Sequence, residues 1–333
     1  MSDTLHVLIL TQSRLPEPLI EKLRQVSARL AIEHRTAQSI EELGEVWRGV
    51  EVLYTSGLLP LPDLAPDLRW VQGHFAGVES FLAHPLLSKV TLTTSSGIHA
   101  TPIAEYIMLM CLAFGHRLPN MIQHQQRSEW PAQRWQSFVP RELRAATLGI
   151  IGYGSIGREV ARLAKSFGMR VLATKRHVQQ ADDRGWQIPE VGDPTTTQID
   201  RLYAPEALRS MLAECDYVAV TVPLTSETRH LIGAHELKSM KPDAVLINIA
   251  RGGVIDEAAL IEALRSNTIG GAALDVFEQE PLPADSLLWK LPKVILSPHV
   301  SGFTPLYDER AMTLFAENLR RYVNDEPLLN VVD

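Results

Sequence analysis

The stretch TLGIIGYGSIGREVARLAKSF, residues 147–167, decides the fold. Its first five residues favour a buried strand, and its last ten carry the apolar spacing of an amphipathic helix. The glycine-rich turn between them fits a pyrophosphate, because the backbone can approach the anion without a Cβ and the helix N-terminus donates N–H groups. The predicted cofactor-binding residues of this turn are Gly152, Gly154, Ser155, Ile156 and Gly157.

Strand and helix patterns alternate on both sides of this turn. Strands are predicted at residues 5–10, 50–55, 68–73 and 90–94, and then at 148–151, 170–174, 217–222, 244–249, 272–277 and 294–296. Strands that alternate with helices need crossover connections, so the pattern predicts doubly wound parallel sheets of the α/β class. A chain of 333 residues is long enough for about two such domains.

Three segments carry further expectations. Ser39–Glu42 has the pattern of a capping box and predicts a helix. Residues 118–146 are polar with two tryptophans and predict a protruding segment. Residues 177–201 are too long and polar for an ordinary connection, so they form either an exposed loop or a functional segment.

The composition excludes several classes of protein. Lys and Arg total 32 against 39 Asp and Glu, a net charge of −7, so no basic field is present to attract nucleic acid. The two cysteines, Cys111 and Cys215, suit a reducing compartment. The N-terminus lacks a signal-peptide pattern, and the longest apolar run, 106–114, is too short to span a bilayer. We therefore expect a cytoplasmic protein that binds neither membrane nor nucleic acid, and no metal-binding motif occurs.

The strand after the glycine turn ends in Thr174-Lys175-Arg176-His177. A site for NAD has an acidic residue at this point, which binds the ribose 2′-hydroxyl. Here Lys175 and Arg176 stand instead, and a 2′-phosphate explains that exchange, so we expect NADP(H) to be preferred with NAD(H) as the second option. A solvated basic turn is the alternative interpretation.

Three polar residues follow the carboxyl ends of later strands: Arg251, Glu280 and His299. Because ligands bind outside those ends in an open α/β sheet, we expect the three side chains at one rim. Arg pairs a substrate carboxylate through two hydrogen bonds, and His transfers a proton to or from an oxygen. A neighbouring carboxylate orients the imidazole and stabilises its protonated form. The trio therefore predicts chemistry on a 2-oxoacid; surface ion pairing is the alternative.

These residues lie in motifs that resemble those of the D-isomer-specific 2-hydroxyacid dehydrogenases over nearly the whole chain. The motifs are GYGSIG (152–157), VAVTVPLTSETRHLIG (218–233), INIARGGVIDE (247–257), ALDVFEQEPLP (273–283) and SPHVSGFT (297–304). The family's functional residues fall on Arg251, Glu280 and His299. The resemblance thus implies the same trio that the strand ends suggest.

The resemblance also implies the architecture. It implies a flavodoxin-like substrate domain of residues 1–100 and 300–333, with a Rossmann domain of residues 101–299 inserted into it. Backbone amides of Ala76 and Gly77 would then hold the substrate carboxylate. Further cofactor-lining residues implied in this way are Val222, Pro223, Ala250 and Asp275. Most members are homodimers, which implies that the 118–146 segment reaches the partner and that Trp135 contacts substrate across the interface.

This sequence also departs from its relatives. Lys175 occupies the usual aspartate position, and residues 178–201 exceed the usual link, so an acid such as Asp182 or Asp183 could still reach the adenosine. The leading interpretation is an NADP-preferring 2-ketoacid reductase for glyoxylate, hydroxypyruvate or a similar small acid. The alternatives are an NAD-linked D-lactate-type dehydrogenase and a cofactor-sensing protein of the corepressor kind.

Overall fold

The computed structural model describes residues 4–77, 81, 83–179 and 185–332. The chain divides into two compact units. The first comprises Met1–Ile98, Arg184–Ile188 and Thr304–Asp333, and the second comprises His99–Asp183 and Pro189–Phe303. Residues 185–188, which the sequence analysis assigns to the inserted domain, cluster with the first unit.

All strands in the described part of the chain pair in parallel, in two sheets. The strands are β1 Leu5–Thr11, β2 Leu30–Thr36, β3 Val52–Thr55, β4 Trp70–Gly73, β5 Thr91–Thr93, β6 Thr147–Ile151, β7 Arg170–Thr174, β8 Arg201–Tyr203, β9 Tyr217–Val220, β10 Val245–Asn248, β11 Gly271–Leu274 and β12 Val294–Leu296. The helices are α1 Glu17–Arg24, α2 Ala100–Gly115, α3 Leu118–Gln126, α4 Arg134–Ser137, α5 Ser155–Ser166, α6 Leu208–Leu212, α7 Ala234–Ser239, α8 Glu257–Arg265 and α9 Tyr307–Val323. No described helix is both long enough and apolar enough to cross a bilayer.

The first unit has strand order β2-β1-β3-β4-β5, which is the flavodoxin-like order. Helices α1 and α9 cover one face of this sheet, with Ile20, Leu23, Phe315 and Leu319 all fully buried in the shared core. The chain near the C-terminus runs antiparallel to β5 through a bridge between Thr93 and Val331, and so covers that edge.

The second unit has strand order β12-β11-β10-β9-β6-β7-β8, a doubly wound sheet. The α/β class with two parallel sheets is therefore confirmed. The sequence pattern missed two strands: β2, which is mostly half-buried or exposed, and β8, which is only three residues long. Both lie at an edge of their sheet, where the apolar run that marks a central strand is absent.

The helix expected from the capping box at Ser39–Glu42 is wrong in type. Residues Glu41–Trp47 form a 3₁₀ stretch in which no side chain caps the N-terminus. Gly44 has φ +56°, a left-handed conformation that interrupts the turn, while Leu43 and Trp47 still reach the core. Burial of these two side chains thus fixes the segment although a regular helix does not form.

The long polar segment is anchored at two of its described residues, Trp186 and Asp193. Trp186 packs into the core of the first unit, where its backbone N–H donates to Asn330 Oδ1 at 3.1 Å. In the second unit, the buried Asp193 accepts a hydrogen bond from the Tyr153 hydroxyl at 2.5 Å, and its carbonyl accepts one from Arg158. Of the two alternatives that the sequence left open, an exposed loop and a functional segment, a wholly exposed loop does not fit, because Asp193 fastens the segment to the glycine turn. A functional role of the segment stays a prediction.

Candidate active site

The glycine turn follows β6, and each glycine has its own physical reason. Gly152 has φ +104°, and a Cβ there would lie 2.7 Å from Val222 Cγ1. A Cβ at Gly157 would overlap the carbonyl oxygen of Gly152, so this glycine lets α5 pack close to the strand. At Gly154, in contrast, a Cβ would meet open space. The open approach at the N-terminus of α5 fits the pyrophosphate of a nicotinamide dinucleotide.

The end of β7 lies beside this turn. Thr174 is buried and accepts a hydrogen bond from Gly152 N–H through its Oγ1 at 3.2 Å, while its carbonyl accepts one from Tyr153 N–H at 2.9 Å. Lys175 is half-buried, and Arg176 is exposed. The strand end next to the glycine turn therefore carries positive charge. Asp182 and Asp183 lie outside the described residues.

Arg251 lies in a turn that Asn248 organises at the end of β10. The buried Asn248 side chain donates to the Arg251 carbonyl at 3.1 Å and accepts from Ala250 N–H at 3.1 Å. A Cβ at Gly252 would overlap the backbone of Phe277, so this turn packs directly on the chain that follows β11. Arg251 is half-buried, and its guanidinium donates a hydrogen bond to the Ala250 carbonyl at 2.7 Å.

Glu280 and His299 are in direct contact. Glu280 Oε1 accepts a hydrogen bond from Phe277 N–H at 3.0 Å, and its Oε2 lies 2.7 Å from His299 Nδ1. A carboxylate only accepts, so His299 Nδ1 carries the proton of this bond and Nε2 is the nitrogen that can exchange a proton with a substrate. The His299 side chain is 50% exposed, which keeps Nε2 accessible.

The loop that carries His299 wraps around Asp275. This side chain is fully buried, and its carboxylate accepts hydrogen bonds from Ser297 Oγ at 2.6 Å and from Val300 and Ser301 N–H at 2.9 Å each. The sequence analysis expects Asp275 to line the cofactor, but it misses the contribution of Ser297. No short motif links these residues, because the contact joins chain positions 22 residues apart.

The other residues expected to line the cofactor differ in burial and in their neighbours. Val222 is half-buried against Gly152, Pro223 is exposed, and Ala250 is buried next to Arg251. The structure thus brings Val222 to the glycine turn and places Ala250 in contact with Arg251. Their contacts with a cofactor stay predictions.

The predicted substrate amides, Ala76 and Gly77, follow β4 in the first unit. Both are half-buried. The loop is held through His74, whose Nδ1 lies 2.7 Å from the Tyr54 hydroxyl and whose carbonyl accepts a hydrogen bond from the Tyr307 hydroxyl at 3.0 Å. Burial lowers the pKa of His74 and so favours the neutral ring. The role of the two amides in substrate binding stays a prediction.

The segment after α2 exposes several large apolar side chains. Trp130 is 83% and Trp135 is 77% exposed, with the Arg134 guanidinium 4.6 Å from the Trp135 ring centroid. Together with Phe138 they line an open groove of about 670 Å³. An apolar surface of this kind marks an interaction site more often than a solvated face.

Known proteins with similar sequences are dehydrogenases and reductases of 2-hydroxyacids and 2-oxoacids. Residues 108–301 match the family model described as D-isomer specific 2-hydroxyacid dehydrogenase, NAD binding domain. The chain is 37% identical over 261 residues to (S)-sulfolactate dehydrogenase of Chromohalobacter salexigens, covering 77% of this chain and 78% of that protein. It is 34% identical over 315 residues to glyoxylate reductase of Thermococcus gammatolerans, covering 93% and 84%.

A solved structure shares the fold. NADPH-dependent glyoxylate/hydroxypyruvate reductase from Sinorhizobium meliloti, in complex with NADP and sulfate, superimposes with a TM-score of 0.79 at 26% identity, covering 99% of this chain and 98% of that one. The resemblance found from the motifs is thereby confirmed. The chain belongs to the D-isomer specific 2-hydroxyacid dehydrogenase family and is an NAD(P)-dependent 2-hydroxyacid dehydrogenase.

Proposed function

We propose that this enzyme is an NADP-preferring reductase of small 2-oxoacids such as glyoxylate and hydroxypyruvate, with Arg251, Glu280 and His299 as its catalytic residues. The observation that carries the proposal is the 2.7 Å contact between Glu280 and His299. Arg251 follows the neighbouring strand β10, from which we expect it to reach the same site. A carboxylate–imidazole pair moves one proton, and a guanidinium binds one carboxylate. Reduction of a 2-oxoacid needs both, because its keto oxygen takes up a proton and its carboxylate must be bound.

Reduction of the keto group requires a hydride on carbon and a proton on oxygen. The bound nicotinamide supplies the hydride. His299 Nε2 donates the proton to the ketone oxygen, and Glu280 stabilises the imidazolium that is present before the transfer. Arg251 holds the substrate carboxylate through its planar fork, which keeps the carbonyl in one orientation. In the oxidative direction the neutral imidazole accepts the same proton.

The preference for NADP rests on the end of β7. Lys175 and Arg176 present two cations where an acceptor for the ribose hydroxyls would stand, and a 2′-phosphate carries about two negative charges. Thr174 is buried and holds the glycine turn, which leaves the cations as the main partners of the phosphate. The Sinorhizobium meliloti relative is named as NADPH-dependent, which supports this assignment.

We also propose that the enzyme is a homodimer in which the segment of α3 and α4 contacts the partner. The exposed Trp130 and Trp135 and the groove that they line support this proposal, because burial against a second copy removes large apolar surface from water. Trp135 would then approach the substrate of the partner. The mass measured by light scattering tests the dimer, and a monomer at micromolar concentration would contradict it.

The decisive experiment measures kcat/KM for glyoxylate and hydroxypyruvate with each cofactor. Charge-assisted hydrogen bonds are worth roughly 1.5–3 kcal/mol each, so NADPH should be favoured by tens- to hundreds-fold. Lys175→Asp should repel the phosphate and move the preference toward NADH, whereas the same change at the exposed Lys238 on α7 should leave it unchanged. A wild-type preference for NADH would show that the basic pair is merely solvated. No turnover of either acid with either cofactor would refute the substrate class.

A further inference from the structure

His299 has an unusual backbone for a residue that must hold its ring in place. Its φ is +55°, in the left-handed region that costs a residue with a side chain about 1 kcal/mol or more. Such a conformation persists only where the surroundings hold it. The loop of residues 297–301 must therefore be fixed by contacts of its own.

Asp275 supplies most of those contacts. Its backbone carbonyl accepts the His299 N–H at 2.9 Å, and its carboxylate accepts the N–H groups of the two residues that follow, Val300 and Ser301. A fully buried carboxylate is stable only when donors satisfy it. The third donor to this carboxylate is the Ser297 hydroxyl at 2.6 Å.

The direction of the remaining hydrogen bond follows from proton counting. Tyr106 on α2 has its hydroxyl 2.6 Å from Ser297 Oγ. The single Ser297 hydroxyl proton is used on Asp275, so Tyr106 is the donor and Ser297 the acceptor. Burial raises the pKa of Tyr106, so its hydroxyl stays protonated at the pH values at which enzymes of this kind work. In the relay of two hydrogen bonds from Tyr106 through Ser297 to Asp275, each hydroxyl therefore donates toward the Asp275 carboxylate.

We propose that Ser297 and Tyr106 are positioning residues of this enzyme, which hold the imidazole of His299 against Glu280 by fixing the carboxylate of Asp275. The proposal rests on the proposed role of His299. Neither hydroxyl touches the trio in the described contacts, so both act through the loop. Loss of the Ser297 hydroxyl removes one of three donors from a buried carboxylate, and the loop that ends in the His299–Glu280 contact relaxes.

The experiment compares Ser297→Ala, Ser297→Thr and Tyr106→Phe in the full-length enzyme. Ser297→Ala should lower kcat roughly five- to fiftyfold, while the KM of the 2-oxoacid, set by Arg251, changes less than about twofold. Tyr106→Phe should lower kcat roughly two- to tenfold in the same way. Ser297→Thr keeps the hydroxyl and should restore most of the activity.

The pH profile separates positioning from general damage. A looser contact with Glu280 stabilises the protonated imidazole less, so the pH at which the reduction rate falls should move down in Ser297→Ala. The matched control is Tyr203→Phe, which removes a hydroxyl that donates to Glu214 Oε1 at 2.6 Å elsewhere in the same unit. That variant should change neither kcat nor the pH profile.

The outcomes distinguish this inference from the proposed function. If His299→Ala abolishes turnover but Ser297→Ala keeps wild-type kcat and the wild-type pH profile, the positioning role is overturned and the catalytic trio stands. A Ser297→Ala enzyme with a lower melting temperature but unchanged kcat overturns it as well. If His299→Ala stays active, the proposed function itself fails. A fall in kcat with a shifted pH profile, reversed in Ser297→Thr, supports the relay.

Discussion

His74 and His299 make an instructive pair, because each follows the carboxyl end of a parallel strand and each engages its Nδ1 in one hydrogen bond. His74 follows β4 of the first unit and lies among aromatic rings, with its Nδ1 against the Tyr54 hydroxyl. His299 follows β12 of the second unit and is paired with a carboxylate, with half of its side chain exposed.

The difference between the two histidines lies in what surrounds them. Aromatic burial around His74 lowers its pKa and removes it from proton exchange near neutral pH. A carboxylate partner and an open face suit His299 to the proton transfer proposed above. A histidine at the carboxyl end of a strand is therefore a candidate for proton transfer, and the groups around it determine whether it is suited to that role.

The largest expected effect is a difference in kcat between variants of the two histidines. His299→Ala should lower kcat by about 10² to 10⁴, the usual contribution of general acid–base catalysis. His74→Ala should lower kcat less than about tenfold but reduce the melting temperature, because it leaves a gap among Tyr54, Phe75 and Tyr307. Steady-state kinetics and thermal unfolding of both variants provide the measurement. Equal losses of kcat would contradict the distinction.

A second experiment sharpens the role of the carboxylate beside His299. Glu280→Gln keeps the shape of the side chain but removes the charge that stabilises the imidazolium. Because reduction needs the protonated ring, the falling limb of its pH–rate profile should move to lower pH. The profile of Glu278→Gln serves as the control, since Glu278 lies two residues away and pairs with His230 instead. A limb that stays in place or moves upward would refute the pairing of Glu280 with His299.

The smallest effect concerns His74 and stability. Its pKa is lowered in the folded state, so the unfolded chain binds more protons below about pH 6.5, and stability falls as the pH is lowered through that value. The slope from one such group is at most about 1.4 kcal/mol per pH unit. Hydrogen exchange in β3 and β4 at pH 7.5 and 5.5 should show this loss.

His34 provides the comparison for that experiment. Burial lowers its pKa in the same direction, but it contacts Thr11 rather than an aromatic cluster. His74→Gln should reduce the pH dependence of hydrogen exchange in β3 and β4. His34→Gln should instead reduce the pH dependence in β1 and β2 and leave that of β3 and β4 unchanged. An unchanged slope in His74→Gln would show that the ring is not the titrating group.

The central strands and the glycine turn were predictable because each carries a complete local signal. Buried strands such as β6 and β10 are mostly apolar runs, and Gly152 and Gly157 are required by the backbone conformation and the close packing around them. Gly154, where a Cβ would meet open space, was predictable only from the spacing of the motif. The edge strands β2 and β8 carry no such run and were missed. The 3₁₀ stretch around Gly44 was missed because the capping pattern at Ser39–Glu42 carries no information about the positive φ of the glycine just beyond it.

The contact between Glu280 and His299 was predictable for a different reason. Both residues follow strands whose order the α/β pattern fixes, so their proximity follows from topology. Arg251 follows a third such strand, and the catalytic role of all three residues stays a prediction. Ser297 and Tyr106 were not predictable, because their contact spans 191 residues between a strand end and α2. The hydrogen bond from Tyr153 to Asp193 was equally unpredictable, since no sequence pattern around either residue indicates the other.

The first unit is assembled from three separate stretches of chain, and this has a consequence for how the protein is made. Its β1–β5 sheet leaves the ribosome early, but α9 follows only after the whole second unit. At about 5–20 residues per second the delay is on the order of tens of seconds. During that time Ile20 and Leu23 lack the α9 side chains that bury them. A nascent chain halted before residue 304 should therefore be a better chaperone substrate than one halted before residue 98 or one released complete.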